Sequence, residues 1–225
     1  VVTGREHARG LNPPMATSRG DQVLVRRDVL RRWLGTRLEL SQQRPSAEGL
    51  CAAADAWRVG DDREAALDRI AAAETETLIL HELGERRAAA LLGPQWEHML
   101  ESLDDHRSEL VARAIRDLLA DCESTLPTLL ERDERASIHF WFANLEGMRG
   151  LLAPELRAGY LRWRSAAPGA PGASAALADA VQAQREHWLA QARGLLAAWR
   201  DAAAPGAVAF SEALVAAARV ESPHG

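Results

Sequence analysis

The sequence predicts an all-α protein, an antiparallel helical bundle with a C-terminal helical hairpin. Three observations predict it. Apolar residues recur at helical spacing through most of the 225 residues. Proline and glycine punctuate the chain at helix-length intervals, and no alternating strand pattern of useful length appears. With 47% hydrophobic residues, the chain has enough apolar surface to bury a core.

Residues 1–20 carry Gly4, Gly10, Pro13, Pro14 and Gly20 without periodicity and read as a disordered extension. Within it, Met15-Ala16-Thr17 has the form of a start site. Asp21 is placed to cap a first helix to about Gln42, with Val25, Val29, Trp33 and Leu34 apolar. Pro45-Ser46 opens a short helix around Leu50, Ala54 and Trp57. Asp61 with Glu64 resembles a capping box and opens a long helix to Leu92. Gly93-Pro94 ends that helix and starts the next, since proline suits a first turn. That helix carries Trp96, Met99, Leu100, Leu103, Val111 and Leu118 to about Cys122. Pro127 sits in the first turn of another, reaching about Leu151, and Pro154 starts one ending near Trp163. The bundle thus spans residues 21–165, and residues 166–175 are a Pro/Gly/Ala linker. The hairpin, residues 176–220, has a first helix with Leu177, Val181, Trp188, Leu195 and Trp199 on one stripe. Pro205-Gly206 ends it, and a second helix carries Val208, Phe210, Leu214 and Val215.

Charge and composition remove several function classes. The formal net charge is -5 and the pI about 5.8, which argues against nucleic acid or an anionic membrane as a general partner. The arginine pairs Arg26-Arg27 and Arg31-Arg32 have acidic neighbours and read as a solvated face. Lysine is absent, so all 27 basic residues are arginine, which excludes a lysine Schiff base and a P-loop lysine. Abundant arginine and alanine suggest a GC-rich bacterial coding sequence. Cys51 and Cys122 form no Cys-x-x-Cys motif, and two free thiols fit a reducing cytoplasm. No apolar run is long enough to span a bilayer, and no signal-peptide core opens the chain.

The stretch Glu74 to Glu85 departs from the apolar pattern. A helix advances about 100° per residue, so Glu74, Leu78, His81 and Glu85 share a stripe with Leu67, Ile70, Ala88 and Leu92. Ionisable groups in such a stripe must be paired, protonated or metal-bound, because burying them bare is too costly. Continuous winding from Pro94 brings Arg107 into the next helix's stripe, with His106 at its edge. Asp133, Ser137 and Asn144 fall on a stripe of the third helix, which also carries His139.

Two functions compete for these residues. Glu74, His81, Glu85, His106, Asp133 and His139 are candidate ligands for iron or manganese, since carboxylate–histidine centres form between bundle helices. Such a protein would be an oxidase-like metalloprotein. The Glu-x-x-His spacing of ferritin-like centres does not occur within residues 21–165, and His81-x-x-x-Glu85 reverses the order used by haem-oxygenase-like di-iron oxidases. The alternative is a non-enzymatic adaptor or regulatory bundle, in which the same groups form an ion-pair and hydrogen-bond network that sets register. Its hairpin, through Trp188 and Trp199, would meet a partner helix or a second copy in a homodimer. Gly84 is costly within a helix, about 1 kcal/mol relative to alanine, and suggests a close helix approach.

Overall fold

The computed structural model describes residues 14–43, 48–59, 62–167 and 172–201, and these are all-α apart from one small hairpin. The chain falls into two compact units, residues 1–83 with 128–144 and residues 84–127 with 145–225.

The first unit opens on β1 (Ala16–Arg19) and β2 (Gln22–Val25), an antiparallel pair in which Ala16 faces Val25 and Arg19 faces Gln22. This corrects the expectation of disorder to residue 20 and a helix from Asp21. Gly20 takes φ 59° in the two-residue turn, a conformation glycine adopts without strain and tight hairpins require. Ala16, Val23 and Val25 are buried, with Leu78 and Ile79 packed on them. Strands of four residues are too short for alternation to register as a pattern.

Next come α1 (Arg27–Gln43), α2 (Glu48–Ala56) and α3 (Arg63–Leu92). Leu30, Leu34 and Leu38 of α1 form one core with Leu50 and Ala53 of α2, and Leu67, Ile70 and Ala71 of α3. Phe140, from α7 below, completes this core and meets Trp33 and Trp57 at ring-centroid separations of 5.5 and 5.0 Å. The cap of α3 is Asp62, whose carboxylate accepts the Ala65 N–H at 3.1 Å. Asp61, predicted for that role, lies outside the described residues. Arg31 bonds Glu64 and Asp68 of α3 at 2.6 and 2.7 Å, so this arginine of the predicted solvated face joins two helices.

The second unit begins at Gly84 within α3 and continues through α4 (Pro94–Glu101) and α5 (His106–Ala120). Gly93, at φ 77°, and Pro94 form the predicted boundary. The single helix expected from Pro94 to Cys122 is interrupted. Asp105 caps α5, accepting the Ser108 N–H at 2.8 Å and its hydroxyl at 2.7 Å. Those bonds hold the Asp105 carboxyl below its usual range.

The helix then runs on where a break was expected. A π-turn over Asp121–Thr125 leads into α6 (Leu126–Glu131). Pro127 has no N–H to offer the Glu123 carbonyl. The Leu126 N–H bonds the Asp121 carbonyl five residues back, and the Arg87 guanidinium donates to the Glu123 carbonyl at 3.0 Å. A wide turn plus one side-chain donor thus carry the chain through proline without ending the helix.

Beyond Glu131 the chain passes through α7 (Arg135–Ala143), α8 (Gly147–Leu152), α9 (Pro154–Ser165) and α10 (Ala173–Asp201). In the second unit α10 packs on α9, α5 and α4, burying Leu177, Val181, Trp188, Ala192, Leu195 and Leu196. The predicted partner face is therefore largely internal: Trp188 is 1% exposed, and half-buried Trp199 donates its Nε1–H to Ser102 at 3.0 Å. The hairpin's second helix, residues 208–215, lies outside the described residues. Among the described residues, no helix is long and apolar enough to cross a membrane.

Candidate functional site

Glu74 is the one predicted carboxylate that is deeply buried, at 4% exposure in the first unit. Its position follows from the α3 stripe, which places it one turn beyond Ile70 and Ala71. The Ser137 hydroxyl on α7 donates to Glu74 Oε1 at 2.6 Å, and the Thr77 side chain also bonds the carboxyl. Burial pushes the Glu74 pKa up to about 7; Ser137 and Thr77 pull it down, and the Glu134 carboxylate adds to the rise. Near neutral pH this group can hold or release a proton inside the fold.

The other candidates divide between the units. His81, half-buried, and His139, buried, belong to the first, and neither is without an interaction. About 200° of helical winding separates His139 from Ser137, so the imidazole leaves α7 on another side from the Glu74 contact. Asp133 is exposed. The expected continuous helix stops at a Schellman motif, with Glu134 N–H on the Leu129 carbonyl at 2.9 Å and Asp133 N–H on the Leu130 carbonyl at 3.2 Å. Asp133 is its left-handed residue, φ 50°, and that turn removes it from the stripe.

In the second unit, half-buried Glu85 bonds Arg116 at 3.4 Å; Arg107, expected in the apolar stripe, is exposed. His106 is 82% exposed, 3.8 Å from Glu109. The break capped by Asp105 explains both misplacements, because it resets the winding assumed from Pro94. Among the described residues, no group of three or more His, Cys, Asp and Glu is placed to hold a metal ion. Of the six candidates, Glu74, His81, Asp133 and His139 fall in the first unit and Glu85 and His106 in the second.

Sequence reasoning missed a polar layer at the π-turn. Asp121, 1% exposed, bonds Arg149 of α8 at 3.0 Å. Glu123 bonds Arg185 of α10, and its carbonyl takes Arg87 from α3. Arg116 reaches Glu97 and Asp117 as well as Glu85. The available signal was two acids, Asp121 and Glu123, in an apolar helix four to six residues before a proline. Asp121→Ala leaves Arg149 beside an empty, desolvated place, so a loss of about 3 kcal/mol in unfolding free energy is expected. Urea unfolding of the variant measures it, and a change within about 0.5 kcal/mol, the range of ordinary surface substitutions, would contradict this account.

These helices, from Arg31 within α1 to the end of α10, lie within one sequence family. A family model described as "Family of unknown function (DUF6866) C-terminal domain" matches residues 31–217. The chain belongs to the DUF6866 C-terminal domain family. No curated protein and no solved structure matches it. The DUF6866 match takes in Glu74, Ser137 and the whole π-turn layer, but leaves out β1 and β2.

Proposed function

We propose that this DUF6866 domain is a non-enzymatic adaptor or regulatory domain, cytoplasmic and bacterial, whose buried polar groups set helix register. The observation that carries this reading is Glu74: its carboxyl is engaged by Ser137 and Thr77, a pairing of two helices of one unit, not the start of a ligand set. Hydrogen-bonded buried groups of this kind add little net stability but disfavour alternative packings. Cys51 and Cys122, not disulfide-bonded among the described residues, fit a reducing compartment.

The partner is taken to be an apolar helix or a second copy of the chain. Support comes from the second unit, where Leu110, Leu151 and Leu161 are 42, 57 and 44% exposed. Deleting α10 would not test this, since its apolar stripe is core. The test is light scattering of the untagged full chain and of the double variant Leu151→Glu, Leu161→Glu, with elemental analysis of the same samples. Metal-free protein whose self-association or partner-helix binding weakens about tenfold or more, a difference of some 1.4 kcal/mol, supports the reading. Stoichiometric iron or manganese, lost in Glu74→Gln or His81→Ala with helicity retained, overturns it in favour of a metalloprotein.

A further inference from the structure

The first unit holds a half-open cavity of about 370 Å³ where α2 ends and α3 begins. Leu38 of α1, with Ala54 and Val59, supplies apolar wall. Arg63 and Cys51 also line it, but the Arg63 guanidinium is already committed, to the Gly35 carbonyl at 3.1 Å and Glu39 at 2.9 Å. Two charges remain, Asp55 and Arg58. Both are exposed, and neither side chain has an ion pair or hydrogen bond with another described residue.

Arg58 occupies a costly backbone position. α2 closes in a Schellman motif, with Val59 N–H on the Ala54 carbonyl at 3.3 Å and Arg58 N–H on the Asp55 carbonyl at 3.0 Å. Arg58 is its left-handed residue, φ 50°, a place where glycine is cheapest. The strain presents a guanidinium at the rim.

With Arg63 bonded to Glu39, the described lining residues offer one further cation, Arg58, and one anion, Asp55. A simple anion meets Asp55 as a repulsion, and a simple cation meets Arg58. A molecule carrying both signs satisfies both. The carbonyl end of α2, beside Asp55, favours an ammonium, whereas the N–H end of α3 is already capped by the Asp62 carboxylate. We propose that this cavity binds a small zwitterion, an α-amino acid with an apolar side chain, its carboxylate on Arg58, its ammonium on Asp55 and its side chain against Leu38, Ala54 and Val59. The volume lies in the lower part of the range of roughly 300–1,000 Å³ usual for small-molecule sites. This goes beyond the adaptor reading: the cavity is in the first unit, the exposed leucines are in the second, and either assignment can fail alone.

The test uses the ¹⁵N-labelled full chain, titrated with L-leucine, 4-methylpentanoate and 3-methylbutylamine. L-leucine is expected to shift the amides of Ala54, Arg58 and Val59 saturably, and to bind about tenfold or more tighter than either single-charge compound. Arg58→Gly separates binding from folding, because glycine relieves the left-handed position: its Tm rises while L-leucine binding weakens about tenfold or more. Asp55→Asn weakens it similarly. Amides unmoved up to about 10 mM L-leucine, equal binding of the single-charge compounds, or unchanged binding in Arg58→Gly would each overturn the assignment.

Discussion

Gly84→Ala is expected to lower the free energy of unfolding by about 3 kcal/mol, the upper part of the range for overpacking. A β-carbon at residue 84 would lie 2.2 Å from the Ala120 carbonyl oxygen and 2.8 Å from its carbonyl carbon. Both are backbone atoms, so no rotamer change can make room; α3 and α5 must move apart. The intrinsic preference of helices for alanine acts the other way by about 1 kcal/mol, and the steric term is the larger. The displacement would also disturb the adjoining π-turn, where Arg87 reaches the Glu123 carbonyl. Urea denaturation of Gly84→Ala against wild type decides the matter. A variant as stable as wild type, or more so, would show that the helices do not meet at this glycine.

Gly84 also illustrates what the sequence makes legible. A glycine inside a strong helical pattern carries a known cost, so the close approach could be anticipated, while Ala120 as the opposing residue could not. Gly93-Pro94 and Pro154 mark true helix starts because proline's fixed φ and missing N–H act locally. Pro127 breaks that rule. Its effect is absorbed by a π-turn and by Arg87, 40 residues earlier, and no local signal reports that donor. The face assignments at His106 and Asp133 failed for a related reason. Phase along a helix accumulates, so one unrecognised stop, at Asp105 or at Asp133 itself, rotates every later residue away from its expected side. Glu74 lies deep within the uninterrupted α3, and there the stripe correctly gave its burial. The Glu74 contact with Ser137 comes from α7 and could not be read from α3 alone.

Glu74 sets the second large expected effect, a pH dependence of stability that Glu74→Gln should remove. In the unfolded chain the carboxyl titrates near its ordinary 4.5; in the fold, burial moves this to about 7. The folded state therefore holds the proton more tightly, and its stabilising contribution is fully present below pH 4.5. It is lost as pH rises through about 7, and above that the charged carboxylate sits in the core, with Ser137 and Thr77 only partly offsetting its desolvation. A difference of this size corresponds to roughly 3 kcal/mol. Glutamine keeps the shape and can still accept the Ser137 hydroxyl, but it carries no charge at any of these pH values. Urea midpoints measured from pH 5 to 9, as about the window in which both states stay soluble and the other carboxylates stay ionised, should fall for wild type and stay nearly level for Glu74→Gln. The variant should then be the more stable protein at the alkaline end. Parallel profiles for the two proteins would mean that Glu74 is ionised in the fold throughout, with a counter-charge or solvent supplied to it. The register role proposed for the buried carboxyl would then lose its physical basis, because a well-solvated carboxylate places no constraint on how α3 and α7 pack.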